Sequence, residues 1–113
     1  MKQITEFTAD ARQHHTIVTE GNKTIDFTLY YAPRSQAWYF DLVYGDLKIY
    51  GNQMVNGYRL LRQWKNFIDF DFTILSVDGI DPFQLTDFAM GRTNVFLLNS
   101  TDIENIEKGV YYA

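Results

Sequence analysis

The stretch Thr24-Ile25-Asp26-Phe27-Thr28-Leu29-Tyr30-Tyr31 decides the fold class. Ile25, Phe27, Leu29 and Tyr31 alternate with Asp26, Thr28 and Tyr30. Period two places the first set on one face of an extended strand and the second set on the other. β-Branched and aromatic side chains suit such a pleated, half-buried surface. The same period returns twice. Trp38, Phe40, Leu42 and Tyr44 alternate with Tyr39, Asp41 and Val43, and Ile68, Phe70, Phe72 and Ile74 alternate with Asp69, Asp71 and Thr73.

Working outward, turn chemistry separates these runs. Glu20-Gly21-Asn22-Lys23 reads as a hairpin connection, because Gly and Asn accept positive φ. It joins a strand over Thr16-Ile17-Val18-Thr19 to the deciding one. Ala32 to Gln36, with Pro33, is a longer turn, and Gly45-Asp46 is a tight turn into Leu47-Lys48-Ile49-Tyr50. These pieces form a meander of four strands. An opening strand is expected at Gln3 to Phe7 and a closing core strand at Val95 to Leu98, with a loop from Asp81 to Gly91. Helical signals are few. Gly57 to Trp64 fits one or two turns, and Asp102 to Gly109 fits a short helix capped by Ser100 or Thr101. The prediction is a small all-β fold, an antiparallel β-barrel or β-sandwich with one or two short helical segments. One domain is expected over 1–113, with 99–113 holding the helix and a C-terminal extension. Packing falls to Phe27, Leu29, Trp38, Phe40, Leu42 and Ile49 in the first half, and to Phe70, Phe72, Ile74, Val95 and Leu97 in the second.

The length agrees, since 113 residues suit one domain that buries roughly two-thirds of its unfolded surface. The absence of Cys excludes disulfides, thiolate metal sites and Cys nucleophiles. A net charge of -4 disfavours phosphate-mediated nucleic-acid binding, which needs clustered Lys and Arg. Met1 to Glu6 lacks the apolar stretch of a signal peptide, and no apolar run approaches the roughly 20 residues that cross a bilayer. The expectation is a soluble chain, or one held in a soluble assembly.

Candidate chemistry is sparse. His14 and His15 are adjacent, so on a strand they point to opposite faces and one metal cannot readily use both. Asp69 and Asp71 share a strand face, with Asp78 and Asp81 close behind. Such a cluster could hold calcium or form an acid–base pair, but it fits no EF-hand loop. The plainer reading makes Asp69 and Asp71 the wet face of a strand, Asp78-Gly79 a turn and Asp81-Pro82 the start of a loop. Ser35, Ser76 and Ser100 lack nucleophile-elbow context, and Gly45, Gly51 and Gly57 are single turn glycines. No cofactor or metal is expected. The unusual feature is aromatic content: nine Phe, eight Tyr and two Trp. Tyr30 and Tyr39 fall opposite the assigned core faces, as does Phe96, while Trp64, Tyr111 and Tyr112 lie near turns and the C-terminus. Aromatic side chains are enriched at protein contacts, so Tyr30, Tyr39, Trp64, Tyr111 and Tyr112 are the candidate interface residues.

The order of these features resembles the phage baseplate plug family, small domains of contractile-tail baseplates. Its members open with a strand pair around a Gly turn. A long alternating strand, a Trp-led strand, an Ile-x-x-Gly step and a Gly-x-Asp-Leu-Leu segment follow. The matching stretches are Thr16-Ile17-Val18, Gly21, Ile25 to Tyr31, Trp38-Tyr39-Phe40-Asp41-Leu42, Ile49-Tyr50-Gly51 and Gly57-Tyr58-Arg59-Leu60-Leu61. Phe72 to Leu75, Asp81-Pro82, Asp87-Phe88 and Val95 to Leu98 continue the series. Arg59 replaces the family's Asp, Trp64-Lys65-Asn66-Phe67 replaces a Gly-rich approach, and Ala89 follows Asp87-Phe88 where the family has Gly. The resemblance implies a structural virion protein at the central hub of a tail baseplate, assembled in the host cytoplasm. Its partners would be other baseplate and tail-tube proteins in a symmetric assembly, with no catalysis and no cofactor. Two other classes compete. One is a β-domain binding a small ligand or oligosaccharide by aromatic stacking. The other is a hydrolase using Asp69 and Asp71.

Overall fold

The structure, a computed structural model, describes residues 1–57 and 59–108. Among these residues seven strands form: β1 (Lys2–Ile4), β2 (Arg12–Val18), β3 (Thr24–Ala32), β4 (Ala37–Tyr44), β5 (Leu47–Gln53), β6 (Asp71–Ser76) and β7 (Thr93–Leu98). A 3-10 turn spans Arg62–Trp64, and a helix, α1, spans Ser100–Glu107. Strands β2-β3-β4-β5 form an antiparallel meander, and β1-β7-β6 form a second antiparallel sheet. The sheets face each other as a sandwich, and among the described residues no barrel closes.

Alternation sets which side chains fill the space between. On β3, Ile25, Phe27 and Leu29 are buried, while Asp26 is exposed and Thr28 and Tyr30 half-exposed. Register places Phe27 opposite Leu42 and Leu29 opposite Phe40. Phe27 stacks on Phe40 at 5.3 Å and meets Phe72 of the other sheet at 5.5 Å. All the residues assigned to packing from the sequence are buried in this core. The connections add Phe7, Met54, Leu61 and Phe88.

Turns follow sequence with local differences. At the β2–β3 turn Asn22 takes positive φ (60°), and Gly21 does not. At the β4–β5 turn Gly45 does so, at 58°. Segment 57–61 runs alongside β6. Gly57 pairs with Ile74, the Leu60 N–H donates to Phe72 O, and the Leu61 N–H donates to Asp71 Oδ1. The expected helical turns over 57–64 therefore shrink to the one turn at 62–64. Helix α1 begins earlier than expected. Its N-cap is Asn99, whose side chain accepts the Asp102 N–H while Asp102 accepts the Asn99 N–H, a capping box. Neither Ser100 nor Thr101 is the cap, and Gly109 lies outside the described residues.

A further sequence expectation, about a candidate site residue, is overturned. β6 starts at Asp71, and Asp71 is not on a wet face; its exposure is 1%. Arg59 Nε donates to it at 2.6 Å, and the N–H groups of Leu61 and Phe72 donate at 2.7 Å. Period two separates two faces, but it cannot say that both are covered. Here Arg59 and the Leu61 N–H meet Asp71 on the second one. Asp69 precedes the strand and is exposed.

Candidate interaction surfaces

The outer face of the four-stranded sheet carries the two tyrosines that the alternation isolates. Tyr30 lies opposite Tyr39 on β4 and opposite Arg12 on β2. The two rings meet edge to face at 6.0 Å, and the Arg12 guanidinium lies 5.4 Å from the Tyr30 ring. Both tyrosines are half-buried. Tyr30 Oη donates to Asp41 Oδ1 at 3.3 Å, and the same oxygen accepts the Gly51 N–H at 2.8 Å. That geometry belongs to a β-bulge: Asp41 faces both Tyr50 and Gly51, and Gly51 sits at φ 66°. Tyr30 thus ties the sheet's outer face to its bulged edge. Burial pushes its phenol up, and the Asp41 charge pushes the same way.

The remaining candidates separate. Trp64 is half-buried and packs against the core from the 3-10 turn. The aromatic that its segment exposes is Phe67, at 73%. Arg62 and Lys65, both exposed, precede it in the same segment and make no ion pair among the described residues. Tyr111 and Tyr112 lie outside the described residues. Phe96 is half-buried on the side of β7 away from Val95 and Leu97.

Sequence reading missed a second surface, the connection 77–92 between β6 and β7. It has no helix or strand of its own, yet hydrogen bonds hold its backbone at several points. Arg92 donates to both Asp78 oxygens at 2.9 and 3.1 Å and to Asp87 Oδ2 at 2.7 Å. Its guanidinium also lies 4.6 Å from the Phe83 ring centroid. Asp87 is buried and accepts the N–H groups of Phe83 and Gln84. Tyr31 Oη donates to Phe83 O and Trp38 Nε1 to Gln84 O, which pins the connection to the larger sheet. The Ile80 N–H, aided by Arg92, holds the Asp78 carboxyl below its ordinary value. Outward it shows Val77 (82%), Ile80 (55%) and Met90 (78%), with Phe83 and Leu85 less exposed. Length was the available signal: an irregular connection this long in a small domain is commonly functional.

The chemical candidates do not assemble. His14 is exposed, 3.6 Å from Asp26, whereas His15 points inward, edge-on to Phe7 and 2.8 Å from Gln13 Oε1. Burial lowers the His15 pKa, opposed by the Glu6 charge and aided by that of His14. Asp71 is consumed by Arg59, and burial pushes its carboxyl up while Arg59 and two N–H groups pull it back. Among the described residues no three metal-type side chains gather. A cavity of about 540 Å³ lies between Lys2, Val18, Glu20, Asp69, Leu97 and Asn99. The aromatic ring in its lining is Phe70, itself buried, so it offers no stacking platform. Among the described residues no helix is long and apolar enough to cross a membrane.

Comparison with known proteins gives one family. No curated protein matches the chain. The family described as cyanophage baseplate Pam3 plug gp18 matches residues 1–102, which include all seven strands. The chain belongs to this phage baseplate plug family.

Proposed function

We propose that the chain is a structural component of a phage tail baseplate, seated at the central hub near the tube end. It acts through contacts with other baseplate and tail-tube subunits in a symmetric assembly, and it performs no catalysis. The observation that carries this reading is the family match over the whole sandwich. The surface agrees, because it exposes large apolar and aromatic side chains such as Phe67, Val77, Ile80 and Met90. The candidate contacts are Tyr30 and Tyr39 on the sheet face, with Trp64, Tyr111 and Tyr112. Net charge -4 suits a wall past which DNA slides without adhering, since acids repel phosphate.

The test is quantitative mass spectrometry of purified tails from the phage or prophage that encodes the chain. A fixed, small copy number relative to the tube protein is expected. Absence from mature tails overturns the reading. The Tyr30→Ser/Tyr39→Ser double variant should fold yet enter tails in reduced number. Full incorporation would remove the tyrosine face from the contact set.

A further inference from the structure

Strand β6 separates two exposed surfaces of opposite character. Segment 57–61 runs back along it, from Ile74 to Asp71. The 62–70 turn therefore lies beyond the start of β6, while residues 55–56 and 77–81 lie beyond its end. Six strand residues set the two ends roughly 17–20 Å apart.

At the far end, Asn56 gathers three apolar side chains. Its N–H donates to Asp81 Oδ1 at 2.7 Å, and its Oδ1 accepts the Ser76 N–H at 2.8 Å. Val55, Val77 and Ile80 are the immediate chain neighbours of these bonded residues, and all three are exposed. Asp78 and Asp81 stand among them. The sole cation of the 77–92 connection, Arg92, is committed to Asp78 and Asp87, and Asp81 pairs with no cation among the described residues. This end is apolar and acidic. At the near end Phe67 is exposed in the same turn as Arg62 and Lys65, which make no ion pair among the described residues, and as one exposed acid, Asp69, so the turn is apolar and keeps a net positive charge.

We propose that copies of this chain associate head to tail, the Val55–Val77–Ile80 end of one seating on Phe67 of the next, with Asp78 and Asp81 facing Arg62 and Lys65. A two-fold contact between two acidic ends, or between two basic ends, would bring like charges together and is disfavoured. Because the two patches differ and lie at opposite ends of one strand, the contact can repeat, and it closes into a ring where the rotation permits. The hydrogen bonds around Asn56 and Arg92 already order the acidic end in the free chain, so association need not order it. The ring's place in a baseplate rests on the function proposed above, whereas the contact itself does not.

The test uses the purified full chain, with light scattering and native mass spectrometry over a concentration series at low and high salt. Wild type should form oligomers that weaken as salt rises. Lys65→Glu/Phe67→Ser removes the basic end and Val77→Ser/Ile80→Ser removes the acidic end. Each variant alone should remain monomeric at concentrations about tenfold above those at which wild type associates. All four positions are exposed, and an unchanged melting temperature will confirm folding in each variant. Mixed together, the two variants retain one intact contact and should give a 1:1 dimer that grows no further. A monomeric wild type, a variant that still oligomerises, or a mixture without dimer each overturns the head-to-tail contact. A chain that self-associates but is absent from tails sinks the baseplate reading and leaves this one standing.

Discussion

Arg59 and Asp71 join three parts of the chain at one ion pair. Asp71 accepts from Arg59 and from the Leu61 and Phe72 N–H groups, while Arg59 Nη1 also donates to Glu107 of α1 at 2.7 Å. Removing one partner of a buried pair strands the other charge, at a cost of about 3–5 kcal/mol. Arg59→Met should therefore lower the melting temperature by on the order of 10 °C. Glu107→Gln should change it little, because Glu107 is more than half exposed. Equal losses in the two variants would relocate the energy to the helix contact. None of this was legible in the sequence. Asp71 looks like its neighbour Asp69, and only the return of segment 57–61 along β6 distinguishes them. His15 carries a pH prediction. Burial lowers its folded pKa below the ordinary 6.5, so the unfolded chain binds the proton more readily. Its contribution is complete above that value and is lost as pH falls through it toward the lowered one. Melting temperature should drop from pH 7 to pH 5.5, and His15→Gln should flatten that part of the curve.

At the scale of elements, the strands and the presence of a loop from Asp81 to Gly91 were readable, and what orders that loop was not. Alternation in Ile25–Tyr31 and Trp38–Tyr44 located β3 and β4 because each has one face on the core and one turned outward. In 77–92 the residue types mislead: Val77, Ile80 and Met90 resemble core residues, yet they are exposed, and Asp87 resembles a surface residue, yet it is buried. The connection is ordered by polar side chains under its backbone, a device that leaves no period in sequence. Arg92 is its centre. Arg92→Met leaves Asp87 buried without its cation, at about 3 kcal/mol. Amide exchange at Phe83 and Gln84, whose N–H groups bond Asp87, should accelerate far more than exchange in β3 and β4. Uniform acceleration would mean that the connection and the sheets open as one unit.

Across the whole molecule, the two sheets share one core, and Phe27 stands at its centre. Its ring touches Phe40 within its own sheet, Phe72 in the opposite sheet and Phe7 in the β1–β2 connection. Both sheets contribute to this one buried cluster, so each helps the other to keep these rings dry. Phe27→Ala removes contacts to both at once, for about 3–5 kcal/mol. Domains of this size are commonly stable by only about 5–15 kcal/mol, so the variant should be folded but close to its limit. If residues 1–108 form one cooperative unit, aromatic near-ultraviolet dichroism and far-ultraviolet strand signal should be lost in the same transition, at a much lower temperature than in wild type. Separate transitions would show that the meander of β2 to β5 holds together without β1, β6 and β7. The two ends of β6 would then be free to move relative to the tyrosine face. A rigid sandwich, by contrast, fixes the direction from the Phe67 end to the Val77 end in every copy, which a closed ring of such copies requires.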